Sequence, residues 1–384
     1  MKSARLPVAC VMGDTDLLHP LGRAGIPCVV VTAPGGPSRF SRFTRQVLDW
    51  ADPWEEPERL VETLLRFAAT QPEPPVLFYE EDRAVLLISR YRDRLAQGFR
   101  FVVPAPSLVE DLVDKSRFQE LATRLALPVP AARRLRPVHE TVPTDLEVPF
   151  PLILKPLTRV PAKWEPAAGF AKARQVDSLE DLRELWPRLA AAGLEVMVQE
   201  LIVGPETRVE SYHVYVDERG ETVGEFTGRK IRTLPREFGH STALEITDVD
   251  DVAQLGRELV KRMDLRGVAK FDFKRGPDGR LYLFEINPRF TLWNHPGALA
   301  GVNLPLLVYR DLVGLPRAAA TRARPGVRWC KLWSDRSAAR AWGVPFRRWL
   351  PWALSCEAKR SIAWDDPLPL LCGGIYRLLF DNRY

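Results

Sequence analysis

Hydrophobic and polar positions along the first hundred residues alternate in blocks that are typical of a small open α/β domain. The predicted elements are strands at 6–12, 26–34 and 76–80 and helices at 17–25 and 57–70. Strand, helix and strand over these lengths form a βαβ unit, and the pattern then repeats. We therefore expect residues 1–105 to form one domain. Acidic residues follow its strands, where they are either ligand groups or helix N-caps. They are Asp14, Asp16, Glu80, Glu81 and Asp82.

After Ser107 the pattern changes to longer helices mixed with strands. The predicted elements are helices at 107–127, 178–194 and 249–265, strands at 151–156 and 195–202, and hairpins within 206–234 and 268–290. We expect two α+β subdomains, at residues 106–200 and 201–320. Residues 321–384 form an extension rich in Arg and Trp, and we expect it to pack on the preceding domain because its tryptophans favour burial.

Composition and charge say more about the possible partners of the protein than about its fold. The chain has 384 residues, of which 46% are hydrophobic and 27% charged, an ordinary globular balance. The net charge of +6 suits anionic ligands but is too diffuse to indicate nucleic acid. The five cysteines are scattered without CxxC spacing, which argues against a disulfide framework or structural zinc. No signal peptide or membrane span is recognisable, so we expect a cytoplasmic protein without nucleic-acid or membrane partners.

The last predicted hairpin contains the densest chemistry. An Asp-Gly pair at 278–279 between two strand-like runs is a strong turn signal. A two-residue loop there places Asp272 directly opposite Glu285. It also places Lys270 opposite Asn287. Because side chains alternate along a strand, Glu285 and Asn287 share one face.

Two facing carboxylates repel unless a cation neutralises them, because their Cβ atoms lie about 5 Å apart. A divalent cation held by Asp272, Glu285 and Asn287 would relieve this repulsion, and oxygen ligands suit Mg²⁺ or Mn²⁺. The intervening apolar residues would face a core. They are Phe271, Phe273, Phe284 and Ile286. The alternative is a solvated hairpin whose polar residues face water.

The sequence Glu-Ile-Asn-Pro-Arg at 285–289 resembles the ExNPR element that closes the nucleotide site of ATP-grasp enzymes. Further motifs follow the order of that family. They are Asp114-Lys115 with LPVP at 127–130, PLILKP at 151–156, VMVQELIVG at 196–204, the basic strand and loop at 228–245, and the helical segment at 297–314. Each motif is loose alone, but five in the correct order are specific. Within the superfamily, the chain is most similar to the carboxylate–amine ligases and the D-aspartate ligase group.

The resemblance implies roles for particular residues. Lys115 and Lys155 would contact the nucleotide phosphates, although a lysine ending a strand can also be a snorkelling surface residue. Adenine and ribose would lie against the hinge, whose residues are Gln199, Glu200, Leu201 and Ile202. Either Glu200 or Glu206 would accept the ribose hydroxyls.

The metal ligands implied by the resemblance are again Asp272, Glu285 and Asn287. Arg289 would hold a phosphate oxygen or the acylphosphate with its planar fork.

The basic strand would lie over the phosphates and the acyl acceptor through Arg229, Lys230 and Arg232. Strand alternation lets only Lys230 and Arg232 share a face, and the alternative for all three is a solvated basic surface. His240 is a candidate base on the acceptor side, although a lone loop histidine is more often incidental.

One departure from the family concerns the loop over the phosphates. Many ATP-grasp enzymes have a glycine-rich segment after the second lysine, but residues 157–175 contain only Gly169. Lys163, Trp164 or Lys172 would have to replace its backbone N–H donors. A Walker A motif, a dinucleotide fingerprint and HExxH are all absent from the sequence, so the commoner alternative enzymes lack a site.

The predicted fold is therefore α/β of the ATP-grasp kind, with a Rossmann-like pre-domain, two α+β subdomains clasping ATP, and a C-terminal extension. The predicted reaction is ATP-dependent ligation of a small carboxylate to an amine through an acylphosphate, with ATP and Mg²⁺ or Mn²⁺ as cofactors, in a monomer or homodimer. The alternatives are a non-amine nucleophile, a nucleotide-binding regulatory protein without turnover, or surface association through the Arg/Trp-rich extension.

Overall fold

A computed structural model of the chain describes residues 6–157, 160–317, 321–359, 363 and 365–372. The described residues form three sheets with helices packed on them. The combination is mixed α/β, as the sequence predicts. In the described part of the chain, no helix is long and apolar enough to cross a membrane.

The first sheet lies within residues 6–105 and is parallel throughout, in the order β3-β2-β1-β4. Its strands are β1 (Ala9–Met12), β2 (Cys28–Val31), β3 (Thr44–Leu48) and β4 (Val76–Tyr79). Its helices are α1 (Thr15–Gly22), α2 (Pro57–Ala69), α3 (Asp82–Arg90) and α4 (Arg92–Leu95). The predicted βαβ pattern is confirmed. Strand β3 was missed because it is a mostly exposed edge strand with polar residues.

Two helices follow where the sequence predicts one. They are α5 (Pro106–Val113) and α6 (Lys115–Arg124). The break lies at Asp114, whose extended backbone ends α5 and whose carboxylate accepts hydrogen bonds from the backbone N–H groups of Ser116 and Arg117 at 2.8 and 2.9 Å. Such an N-cap satisfies donors that the helix itself leaves unpaired. It also places Lys115 at the first position of α6.

A four-stranded antiparallel sheet forms the second unit, in the order β5-β8-β6-β7. Its strands are β5 (Ala132–Leu135), β6 (Leu152–Pro156), β7 (Arg174–Val176) and β8 (Val196–Glu200). Helices α7 (Pro161–Ala168) and α8 (Leu179–Ala191) cover one face, where they share a core with β6 and β8. Lys155 lies near the end of β6, and residues 201–208 lead directly into the next sheet.

The third sheet carries most of the predicted site, in the order β13-β12-β9-β10-β11-β14-β15. Its strands are β9 (Val209–Val216), β10 (Thr222–Leu234), β11 (His240–Thr247), β12 (Gly267–Arg275), β13 (Leu281–Asn287), β14 (Arg328–Cys330) and β15 (Ala358–Lys359). The associated helices are α9 (Asp250–Arg262), α10 (Asn294–Leu299), α11 (Leu304–Val313), α12 (Leu332–Ala341) and α13 (Phe346–Ser355).

The extension is part of this third sheet. Strand β14 pairs with β11, and β15 pairs with β14, so the predicted boundary at residue 320 does not separate two sheets. The tryptophans at 329 and 349 are buried, as the sequence predicts, whereas Trp333 is exposed. The part of the extension after residue 372 lies outside the described residues.

Candidate active site

The hairpin formed by β12 and β13 has the predicted register. Asp272 lies opposite Glu285, and Lys270 lies opposite Asn287. The loop itself is one residue longer than predicted, because the N–H of Gly276 bonds to the carbonyl of Arg280 at 2.8 Å and residues 277–279 form the turn. A β-bulge next to Asp272 absorbs the extra residue. The longer loop and the β-bulge therefore compensate for each other, and the pairing of Asp272 with Glu285 is as predicted.

The bulge explains one wrong prediction. Phe271, Phe273 and Ile286 are buried in a common core, as expected, but Phe284 is only half-buried. Its ring lies 5.2 Å from Nζ of Lys155, within cation–π range. Because the extra residue interrupts the alternation of β13, Phe284 faces the second sheet instead of the core.

Asp272 is buried and strongly paired. Its Oδ2 lies 2.5 Å from Nζ of Lys270, and its Oδ1 accepts a hydrogen bond from the Ser211 hydroxyl at 2.6 Å. Burial alone would raise the pKa of Asp272, but the ammonium groups of Lys270 and Lys230 outweigh it and lower the pKa to about 2. Lysine therefore neutralises Asp272, and the repulsion between Asp272 and Glu285 does not by itself require a metal.

The donor chemistry of this cluster nevertheless fits a hard cation. Asp272 and Asn287 are buried beside the exposed carboxylate of Glu285, so two carboxylates and one amide oxygen share the hairpin. Among the described residues, no cluster of three or more His, Cys, Asp or Glu side chains is placed to hold a metal. The candidate set thus depends on the amide of Asn287 as its third oxygen donor, which suits Mg²⁺.

Arg289 connects this cluster to the pre-domain. Its Nε donates to Oδ1 of Asp82 at 2.5 Å, its Nη1 to the carbonyl of Glu80 at 2.8 Å, and its Nη2 to Oδ1 of Asn287 at 2.9 Å. Burial lowers the pKa of Arg289, and the Asp82 carboxylate outweighs this and raises it. The guanidinium lines the cavity, but its N–H groups already donate hydrogen bonds to protein acceptors. Its predicted bidentate contact with phosphate would require these bonds to rearrange.

The two predicted phosphate lysines lie close together at the second sheet. Lys115 donates to the carbonyl oxygens of Pro156 and Leu157, the latter at 3.1 Å, and so lies at the end of β6. Lys155 donates to Oε1 of Gln199 at 2.6 Å. Burial lowers the pKa of Lys155 to about 8, opposed by Glu285 and assisted by Lys115. An anion close to Lys155 would favour its charged form.

The hinge residues follow β8 next to these lysines. Gln199 and Ile202 are buried, and Leu201 is half-buried. The backbone of Glu200 bonds to the carbonyl of Ala131 at 2.8 Å, and its carboxylate accepts from the Ala131 N–H at 3.3 Å. Its side chain therefore also braces β5.

Glu206, the other ribose candidate, lies between two lysines. Its carboxylate oxygens lie 3.7 Å from Nζ of Lys230 and 3.9 Å from Nζ of Lys274. The predicted ribose contacts at Glu200 and Glu206 remain predictions.

Of the three residues in the glycine-poor loop that were predicted to replace its backbone N–H donors, only one lies at the cavity. Lys172 lines the cavity, whereas Lys163 is exposed elsewhere on α7. Surrounding protein atoms desolvate the Lys172 amine, although its side chain stays accessible, and lower its pKa to about 8. Trp164 is fully buried, and its indole N–H donates to the carbonyl of Ala171 at 2.7 Å. Trp164 is thus a core residue rather than a phosphate donor.

Of the three predicted basic residues on β10, only one lines the cavity. Lys230 lines the cavity. Arg229 lies on the other side and pairs with Glu245 at 2.9 Å, so its predicted cofactor contact is wrong. Arg232 is buried in a bidentate pair with Asp335, so its predicted catalytic role is also wrong. A bulge at Ile231 interrupts the alternation that would have placed Arg232 beside Lys230.

The hairpin cluster, Arg289, Lys172 and Lys230 line a cavity of about 1210 Å³ between the pre-domain and the third sheet. The predicted nucleotide residues of the second sheet and hinge lie outside this lining, and they are Lys115, Lys155, Gln199, Glu200, Leu201, Ile202 and Glu206. Its sheet wall carries the hairpin cluster, Lys230 and His240, and its pre-domain wall carries acidic and aromatic residues. The pre-domain residues include Asp14, Glu80, Glu81, Asp82, Trp50 and Trp54. The predicted acidic strand ends therefore face the candidate metal cluster, except that Asp16 is fully buried beneath the cavity floor and bonds to Trp329 at 2.9 Å.

Sequence reasoning missed several residues of this cavity. Lys270 was placed in the pairing but not in the site, although its position two residues before Asp272 on one strand was a sufficient signal. Trp50 and Trp54 lie in loops, and Lys331 and Ser334 lie in the extension. Their position depends on the packing of distant segments, for which the sequence carries no local pattern.

Comparison with protein families gives one match, over residues 215–332, to a model described as ATP-grasp in the biosynthetic pathway with Ter operon. The match contains the β12–β13 hairpin, Arg289 and β14. The sequence is 26% identical over 337 residues to a D-aspartate ligase of Enterococcus faecium, which covers 84% of this chain and 78% of that protein. It is 23% identical over 228 residues to a D-alanine–D-alanine ligase of Pseudomonas putida, covering 55% of this chain and 65% of that protein.

The fold is also similar to that of solved structures. One is the ADP complex of N5-carboxyaminoimidazole ribonucleotide synthetase, with a TM-score of 0.63 and 17% sequence identity. The superposition covers 85% of this chain and 82% of that one. At this identity the likeness concerns the fold alone.

Proposed function

Because this chain is an ATP-grasp ligase, similar in sequence to D-aspartate and D-alanine–D-alanine ligases, we propose that it forms an amide bond between two amino-acid-like substrates through an acylphosphate. The observation that carries the proposal is the shared cavity. It brings the hairpin cluster of Asp272, Glu285 and Asn287 together with the amines of Lys172 and Lys230 and with an acidic pre-domain wall. Cationic groups and metal ligands suit phosphoryl transfer to a carboxylate, and an acidic wall suits a cationic amine substrate.

The first step proposed is attack by a substrate carboxylate oxygen on the γ-phosphorus of ATP. The new O–P bond replaces the bond between the γ-phosphorus and the β,γ-bridging oxygen, and ADP leaves. Lys155, Lys172 and Lys230 would bind the phosphate oxygens and offset the charge that spreads over them. Mg²⁺ or Mn²⁺ bound by the hairpin cluster would supply further charge neutralisation and hold the phosphates for in-line transfer.

The second step proposed is attack by an amine on the acyl carbon. The C–N bond forms, the C–O bond to phosphate breaks, and the nitrogen loses a proton. The pre-domain wall would favour binding of a cationic ammonium group through Asp14, Glu80 and Glu81, which lie on the cavity. This group must release one proton to become the attacking amine, and the amide nitrogen then releases the second. His240 lines the sheet wall of the same cavity together with Lys230, so it is the candidate to accept the proton.

The proposal predicts that ADP and phosphate are released only when a carboxylate and an amine are both present. A panel of D- and L-amino acids and dipeptides, tested in pairs with Mg-ATP, would be followed by phosphate release and product mass. Amide products formed in equal amount to phosphate support the ligase. Tight ATP binding without turnover over the whole panel would instead favour the regulatory alternative, and ester or thioester products would indicate a non-amine nucleophile.

A further inference from the structure

The extension contributes a wall of the cavity through β14 and the start of α12. Trp329 pairs with Leu244, and Cys330 with Ala243, and the N–H of Lys331 continues the ladder to the carbonyl of Thr242 at 2.8 Å. Side chains alternate along such a strand, so Trp329 and Lys331 lie on one face and Cys330 on the other. Both Trp329 and Lys331 line the cavity, whereas Cys330 packs in the core of the extension.

A buried ion pair fixes this wall in position. Asp335 is fully buried, and its carboxylate accepts hydrogen bonds from Nε and Nη2 of Arg232 at 2.9 and 2.7 Å. The Thr242 hydroxyl and the Trp349 indole N–H donate to it at 2.9 and 2.8 Å. The N–H of Asp335 also bonds to the carbonyl of Lys331 at 2.8 Å. Four donors from β10, β11 and α13 therefore hold the first turn of α12.

This arrangement orients two further residues towards the substrates. Ser334, adjacent to Asp335, lines the cavity together with Lys331. Nearby, the β10–β11 connection contributes His240 and Ser241 to the same wall. The wall thus carries an ammonium, an imidazole and two hydroxyl groups, all of which can donate hydrogen bonds. The opposite, pre-domain wall carries carboxylates.

Opposed donor and carboxylate walls are complementary to a molecule that carries an anion at one end and an amine at the other. We propose that Lys331 and Ser334 bind the carboxylate that the amine substrate retains in the product, and that Asp335 and Arg232 act as positioning residues for them. The amine substrate is therefore an amino acid or a peptide with a free carboxylate, and not a simple amine. This inference rests on the proposed ligase function.

The test compares an acid with its carboxamide. Once the panel has identified an active pair, wild-type protein and the Lys331→Gln and Ser334→Ala variants would be assayed with the amine substrate and with the same substrate carrying a primary amide in place of its carboxylate. We expect Lys331→Gln to raise the KM for the acid about tenfold or more, which corresponds to loss of one charge-assisted hydrogen bond. The KM values for the carboxamide and for ATP should change less than about twofold.

Arg340→Gln and Ser337→Ala are matched controls. Both residues are exposed on α12 and neither lines the cavity, so both variants should resemble the wild type. Asp335→Asn should raise the KM for the acid in the same direction as Lys331→Gln, with the KM for ATP unchanged. If Asp335→Asn does not fold, the Lys331 and Ser334 variants decide the question alone.

Two results would overturn the inference while leaving the ligase function intact. One is equal use of acid and carboxamide by the wild type. The other is an Arg340→Gln effect as large as that of Lys331→Gln, which would indicate a general loss of positive charge. Failure to find any pair of substrates that releases phosphate would instead contradict the proposed function.

Discussion

Arg289 donates a hydrogen bond from Nε to Oδ1 of Asp82 at 2.5 Å and so joins the third sheet to the pre-domain. The same guanidinium donates to Oδ1 of Asn287, a candidate metal ligand, at 2.9 Å. A pre-domain carboxylate thereby helps to orient Asn287 in the hairpin cluster. The two halves of the cavity are therefore coupled through one side chain.

Removing the carboxylate should disturb this coupling without unfolding the protein. Asp82 is about half exposed but Arg289 is largely buried, so the loss should lie between the about 0–1 kcal/mol of an exposed ion pair and the about 3–5 kcal/mol of a buried one. We expect Asp82→Asn to lower kcat about 10- to 100-fold, the range typical for residues that orient metal ligands. Steady-state kinetics and thermal unfolding would be measured together. Glu56→Gln, at an exposed pre-domain residue that pairs with Arg59 and does not line the cavity, should leave kcat unchanged; equal effects of the two variants would refute the coupling.

Glu285 and Asn287 should be essential for turnover if the hairpin cluster binds the metal. We expect Glu285→Gln and Asn287→Ala to lower ATP turnover by about 100-fold or more and to shift the Mg²⁺ dependence to higher concentration. Titration of activity with Mg²⁺ and Mn²⁺ would measure both effects. Normal turnover in either variant would show that the hairpin cluster does not bind a metal required for turnover. Asp278→Asn, in the exposed turn of the same hairpin, is the control.

ATP affinity should weaken in alkaline solution. Burial lowers the pKa of Lys155 to about 8, so the free enzyme loses this positive charge as the pH rises through about 8. Bound phosphate favours the ammonium form and raises its pKa, so binding takes up a proton above pH 8. The Kd for ATP should then increase by up to ~10-fold per pH unit for each such lysine.

Calorimetric titration with ATP between pH 7 and 10 would test this dependence. Lys155→Arg should reduce the slope because guanidinium stays charged throughout this range. Lys172→Arg should reduce the remaining pH dependence of the Kd, since the pKa of Lys172 is also lowered to about 8. Lys163→Arg, at an exposed position away from the cavity, should leave the slope unchanged. A pH-independent Kd for the wild type would contradict phosphate contact by these amines.

The two arginines that sequence analysis misplaced should differ in their effect on stability. Arg232 pairs with a fully buried carboxylate, and removing one partner of a buried pair costs about 3–5 kcal/mol. Arg229 pairs with Glu245 at the surface, where the loss is about 0–1 kcal/mol. Urea unfolding of Arg232→Met and Arg229→Met compares them directly. Equal losses would show that the Arg232–Asp335 pair does not anchor the extension.

These two arginines also show which side-chain positions strand alternation can predict and which it cannot. Strand alternation correctly separated Arg229 from Lys230, because it depends only on local backbone geometry. It failed for Arg232 because a bulge at Ile231 reverses the alternation. A second bulge turned Phe284 out of the core, yet it also compensated for the miscounted turn and preserved the facing of Asp272 and Glu285. Local patterns carry no signal for such single-residue insertions.

Long-range packing limited the prediction in a different way. The βαβ pre-domain and the β12–β13 hairpin follow from hydrophobic periodicity and turn residues within short segments. The contribution of Lys331 to the cavity depends on β14 pairing with β11, almost ninety residues away along the chain. The acidic strand ends of the pre-domain were recognisable, but their position opposite the hairpin cluster required the packing of whole domains.

Formation of an acylphosphate would transfer one oxygen atom from the carboxylate substrate to phosphate. The acid of an active substrate pair would be labelled with ¹⁸O in its carboxylate, and the released phosphate analysed by mass spectrometry. An acylphosphate mechanism predicts one ¹⁸O atom in phosphate for each amide bond formed, because the attacking carboxylate oxygen leaves with phosphorus. Amide formation with unlabelled phosphate, or with label in AMP, would contradict it.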